Sequence, residues 1–215
     1  VGSEMCIRDR PDIFWMHTNQ ILKYADYGKL ADVTDLYDQE DPDYYTKHFS
    51  EISLNNAKGS DGRIYGVPKD KDTVCLVYNR EMFDNAGLAY PDDSWTWDDL
   101  TEASAAIYDK TGKYGFMAYA DEQLGYWNFV YQAGGHILNE DKTKAGFMDP
   151  ATRKGMEFYI HLQKEPWCPD QKYFAETNPG TAFISGQGAM YLEGNWNLMS
   201  MMENNKAVSY THLRA

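Results

Sequence analysis

The run Thr73-Val74-Cys75-Leu76-Val77-Tyr78-Asn79 is the clearest strand in the chain. It is β-branched, nearly continuous in apolar character, and shorter than an ordinary helix. A strand that faces water on one side alternates apolar and polar residues. One without alternation must be covered on both faces, as in layered α/β proteins.

The surrounding patterns fit such layering. Pro11–Met16 reads as a buried strand, Ile64–Pro68 as a short strand closed by its proline, and Tyr114–Ala120 and Ala189–Leu192 as two more. Helical spacing marks Thr18 to Gly28, with Gly28 as the stop, and then the later part of Leu30–Tyr37. Tyr44–Lys58, Arg80–Asn85 before Gly87, Trp127–Ala133 before Gly134-Gly135, and Pro179–Ser185 follow the same pattern. Thr96 is an N-cap whose first turn carries Asp98 and Asp99, and that helix should reach Asp109. Asp149-Pro150 opens another, carrying Met156, Tyr159, Ile160 and Gln163. Regular alternation of strand and helix predicts mostly parallel strands. There is no repeat, low-complexity tract or Pro/Gly/Ser linker, so two lobes would have to share strands. Val1–Arg10 and the tail from 207 to 215 do not match their surroundings and read as non-native extensions.

The rest of the composition narrows the chemistry. Of 215 residues, 43% are hydrophobic, which supports a packed core. A net charge of −13 argues against phosphate backbones and anionic lipid. No run approaches the roughly 18 apolar residues of a membrane span, and no signal peptide is visible. Cys6, Cys75 and Cys168 form neither a CxxC nor a zinc pattern; Cys75 reads as a buried thiol, and a Cys75–Cys168 disulfide stays open. No phosphate loop, GxSxG elbow, HExxH or histidine pair at ligand spacing is present. No metal or cofactor is expected. His161 reads as surface, and Asn139–Thr143 as a hairpin turn. Trp95, Trp97 and Trp167 read as structural.

What stands out is 17 Tyr and 6 Trp, an aromatic content of 15%. Several sit beside hydrogen-bonding side chains at strand ends: Phe14-Trp15-Met16-His17, Asp121-Glu122-Gln123 before Tyr126-Trp127, and Glu193-Gly194-Asn195-Trp196. Lys69-Asp70-Lys71-Asp72 repeats the placement with charges alone. Ligands of open α/β sheets bind outside such strand ends. A sugar offers C–H faces that stack on indole and a rim of hydroxyls that suits carboxylates and amides. Taken singly, a tryptophan after a strand is more often core than platform; four such ends together shift the balance, but spacing alone does not decide between the two.

PDIFWM with YADYGKLADVTDL, GRIYGVPKDKDTVCLVYNREMFDNAGL, SWTWDDL and TAFISGQGAMYLEGNW together resemble the extracellular sugar-binding proteins of ABC importers, the broad family that includes maltose-binding proteins. The resemblance runs from Pro11 to about Lys206. It implies a periplasmic-binding-protein-like two-lobed α/β clamp, incomplete here. Residues 11–73 would be part of lobe 1 and 74–206 most of lobe 2, with a hinge crossing near Asp72–Val74. It implies a sugar or oligosaccharide held by Trp15, Asp72, Glu122, Tyr126, Trp127, Glu193, Asn195 and Trp196. Thr18 departs from an acid found in some members. The resemblance further implies a monomer that delivers ligand to an ABC permease, no nucleic-acid partner, and an extracellular place as a cell-surface lipoprotein or periplasmic protein. The alternative is a glycosidase using Asp72 and Glu122 as acid and nucleophile.

Overall fold

Val74–Asn79 forms a strand, β1, with Cys75 to Asn79 all buried. The computed structural model describes residues 11–37, 43–140, 143–204 and 208–211. The chain divides into two compact units, Val1–Lys71 and Asp72–Ala215. Each is taken by itself.

In the first unit the described elements are helices: α1 (Thr18–Asp26), α2 (Thr34–Tyr37), α3 (Tyr44–His48) and α4 (Glu51–Asn55). Gly28, with φ of 62°, stops α1 in the left-handed region that favours glycine. Two expectations fail here. Pro11–Met16 is not a strand, and Ile13, Phe14 and Trp15 are 89%, 50% and 81% exposed. An apolar run becomes a strand only where another strand lends it hydrogen bonds, and this segment has none among the described residues. Tyr44–Lys58 is two short helices, because the Ser50 side chain caps the backbone N–H of Ser53 and restarts the helix there. Ile64–Pro68 is held by a single bridge to Lys58 and by bonds to Val33 and Thr34 rather than by a full ladder.

The second unit carries the sheet. After β1 come α5 (Arg80–Ala86), α6 (Trp97–Thr111), β2 (Tyr114–Phe116), a π-helical turn (Glu122–Tyr126), α7 (Trp127–Gln132), α8 (Pro150–Leu162), α9 (Gln171–Glu176), α10 (Pro179–Ile184), β3 (Gly188–Gly194), a 3-10 turn (Asn195–Asn197), α11 (Leu198–Asn204) and β4 (Val208–Thr211). Among the described residues the strand order is β2-β3-β1-β4. The expectation of mostly parallel strands does not hold: only β2 and β3 pair in parallel, whereas β1 runs antiparallel to both β3 and β4. Helices between strands enforce parallel pairing only when the chain returns beside the strand it left. Here β3 stands between β1 and β2. Val208–Thr211, set aside in the sequence as foreign, pairs with β1; the rest of the two suspect ends lies outside the described residues.

Both faces of the sheet are covered, as the apolar run requires. Leu76, Tyr78, Phe116, Met190 and Leu192 join one core with residues of α5 to α8. Cys75, Val77, Met117 and Tyr191 join a second with Ala182, Phe183 and Met201. Phe83, Phe116 and Phe183 are 0–1% exposed; burying each is worth about 1.5–3 kcal/mol. Cys75 and Cys168 are buried free thiols. Thr96 and Asp99 form a reciprocal capping box at the start of α6. Trp97 stacks on Phe158 at 4.3 Å and donates its indole N–H to Gln132.

Candidate functional site

The pairing of β1 with β3 decides which strand ends meet. Val74 lies opposite Gly194 and Cys75 opposite Glu193, so the start of β1 sits beside the end of β3. β2 runs parallel to β3, and just past it the Met117 N–H bonds to the Met190 carbonyl. The chain that follows carries Tyr119, Asp121 and Glu122 to the same edge. Two of the four stretches singled out in the sequence, Asp121–Trp127 and Glu193–Trp196, therefore lie in the second unit together with Asp72, the last residue of a third. The stretch with Trp15, and Lys69–Lys71, belong to the first unit.

Asp72 is exposed, directly ahead of Thr73 and β1. Asn195 is tied to Thr73 twice. Its backbone N–H donates to the Thr73 carbonyl at 3.1 Å, and its side-chain oxygen accepts the Thr73 N–H at 2.8 Å. Trp196 is 43% exposed, and its ring lies against Gly194, where an added Cβ would stand 2.1 Å from the indole. The missing side chain of Gly194 is what lets the indole lie this close. Glu193 is only 5% exposed, and its carboxylate accepts the Gly194 N–H at 2.8 Å.

On the β2 side, Glu122 is exposed in the first position of the π-helical turn. Asp121 caps that turn by accepting the Leu124 N–H at 2.6 Å, and Asn128 donates to the carbonyls of Gln123 and Gly125. Gly125 is needed because a Cβ there would come within 2.8 Å of the Tyr159 hydroxyl. Isolated π turns widen a helix by one residue and are frequent at functional sites. Tyr126 is half-buried against the larger core. Trp127 is half-buried, and its indole N–H is shielded from solvent with no acceptor among the described residues. A buried donor without a partner is costly.

Tyr119 was not singled out in the sequence. Burial first, and then the carboxylates of Asp121 and Glu193, push its phenol above the ordinary value. No sequence signal marked it, because its place depends on how the chain leaves β2 after Phe116. In the first unit, Trp15 carries the Lys69 ammonium 4.3 Å from its ring centre, and Lys69 also pairs with Asp70. Among the described residues no cluster of three His, Cys, Asp or Glu side chains suits a metal ion. No helix of the described chain is long and apolar enough to cross a membrane.

The sequence profile of bacterial extracellular solute-binding proteins matches residues 8–212. The diacetylchitobiose-binding protein of Streptomyces coelicolor is 26% identical over 92% of this chain and 45% of its own length. An arabinooligosaccharide-binding protein of Halalkalibacterium halodurans is 31% identical over 59% of this chain and 32% of its own. Among solved structures, an ABC substrate-binding protein of Listeria monocytogenes in complex with cycloalternan superposes with a TM-score of 0.84 at 25% identity. That match covers 97% of this chain and 54% of that one. These matches thus span from about a third to about half of the relatives' own length.

Proposed function

The chain belongs to the bacterial extracellular solute-binding protein family, with a periplasmic-binding-protein-like fold that is an incomplete two-lobed clamp, and from that premise we propose that it binds a sugar or oligosaccharide and delivers it to an ABC permease. The observation that carries the reading is the pairing that sets the start of β1, just after Asp72, beside the end of β3, just before Trp196, while β2, parallel to β3, leads into the Glu122–Tyr126 turn. That edge offers carboxylates for hydroxyls, a half-exposed indole face, and the unpartnered Trp127 N–H for a ligand oxygen. Tyr126, half-buried beside Trp127, would supply a flank. Glu193 acts from beneath the edge, since its carboxylate is already bonded to Gly194.

No bond of the ligand is broken in this reading. The matched relatives are binding proteins, which supports it over a glycosidase working through Asp72 and Glu122. The protein would act as a monomer outside the membrane, as a periplasmic protein or lipid-anchored at the cell surface. A charge of −13 keeps nucleic acid away.

The test is calorimetric titration of the full-length polypeptide carrying this sequence with chito-, arabino- and gluco-oligosaccharides. Reducing ends are assayed in the same samples. Saturable binding with unchanged sugars is expected. Binding to none of the panel, with no shift in melting temperature, would sink the carbohydrate reading. Release of reducing ends that stops in Glu122→Gln would restore the enzyme.

A further inference from the structure

The antiparallel ladder between β1 and β3 ends at the pair Val74 and Gly194. The next opposed pair is Thr73 and Asn195. Hydrogen-bonded pairs in such a ladder exchange two bonds, N–H to carbonyl in each direction. One of these is present, from the Asn195 N–H to the Thr73 carbonyl at 3.1 Å. The reciprocal bond is not backbone to backbone. The chain leaves the strand at Asn195 to enter the 3-10 turn that bears Trp196. The Thr73 N–H instead meets the Asn195 side-chain oxygen at 2.8 Å.

We propose that Asn195 is a positioning residue: its side-chain amide replaces its own carbonyl in the ladder, so the chain can turn to place Trp196 while Thr73, and Asp72 before it, stay in strand register. The proposal rests on the reading of Asp72 and Trp196 as ligand groups, and it takes Asn195 itself out of direct contact with the sugar. Aliphatic side chains at this position have no acceptor. Aspartate, whose carboxylate oxygen also accepts, would reach the same N–H. The residue pair also stands where the second compact unit begins, at Asp72. Chain entry into that unit is thereby fixed before any ligand arrives.

The experiment compares wild type, Asn195→Ala and Asn195→Asp in the full-length polypeptide, by amide hydrogen exchange and sugar titration. In Asn195→Ala the Thr73 amide should exchange at least about tenfold faster while the amides of Leu76 and Val77 keep their protection. Sugar affinity should fall about fivefold, the equivalent of one net hydrogen bond. Asn195→Asp, which retains the acceptor, should recover both. Unchanged Thr73 exchange in Asn195→Ala overturns the proposal. So does recovery of protection without recovery of affinity in Asn195→Asp, which would make the amide a direct ligand contact. A wild-type protein that binds no sugar defeats the ligand reading instead, and the exchange pattern still decides whether Asn195 holds Thr73.

Discussion

Gly194→Ala separates a ligand platform from a packing residue at the end of β3. An added Cβ would lie 2.1 Å from two atoms of the Trp196 ring and 2.3 Å from a third. Ordinary contact begins near 3.4 Å, so the indole must retreat by more than about 1 Å. It has room to do so, because Trp196 is 43% exposed and the atoms struck are the far edge of a side chain. Gly194 is not among the glycines with positive φ, so alanine fits the backbone without strain. The folded state should therefore change by no more than about 1 kcal/mol, and relief of glycine's backbone entropy works in its favour. Binding should suffer far more. Displacing an aromatic platform costs roughly 1–3 kcal/mol, or about fivefold to more than a hundredfold in Kd. Thermal melting and sugar titration on the same preparation give both quantities. The double variant with Trp196→Ala should bind no more weakly than Trp196→Ala alone. Wild-type affinity in Gly194→Ala would show that the indole does not stack on ligand. A melt lowered by more than about 10 °C would show that its contact with Gly194 supports the fold.

Three other outcomes are expected. Gly155→Ala should lower stability by more than about 2 kcal/mol in urea unfolding, because the new Cβ would meet backbone atoms of Phe129 and Val130 at 2.5 Å; an unmoved midpoint would show that α7 and α8 can separate cheaply. Hydrogen bonds from Thr34, with Arg63 alongside, hold the Asp32 carboxyl down at about 2 against an ordinary 3.8. A lowered value means that its contribution to stability is complete above the ordinary value and is lost as pH falls through about 2. Its NMR titration midpoint should rise in Thr34→Ala, and a wild-type midpoint at the ordinary value would contradict this. Burial pushes the Cys168 thiol up to about 12 and raises Cys75 as well. Neither should react with a disulfide reagent at pH 8 until the protein unfolds, and rapid labelling in the native state would refute that.

Much of the local structure was legible in the chain. Thr96 with Asp99, Asp149 with Pro150, and Gly28 and Gly87 announce where helices start and stop, because caps act within one turn of sequence. The Thr73–Asn79 run announced a strand covered on both faces, and the structure puts a core on each. What misled was pairing. Pro11–Met16 has the composition of a strand without a neighbour, and Tyr114–Ala120 yields a ladder only over Tyr114–Phe116. Of the candidate site, Asp72, Glu122, Trp127 and Trp196 were visible as polar and aromatic groups at strand ends. Tyr119 and the π-helical turn were not, because they depend on how the chain leaves β2.

Residue order by itself determined the capped helix starts, the buried strand, the net negative charge and the family, since each depends on composition, on neighbours a few positions apart or on a string of short motifs. Only the tertiary structure decided that β1 runs against β3. Strand direction is a long-range choice between segments more than 100 residues apart, with Val74 opposite Gly194, and no local propensity encodes it. That choice sets Asp72 beside Asn195 and Trp196, and turns an asparagine that looks like a sugar ligand into the residue bonded to Thr73.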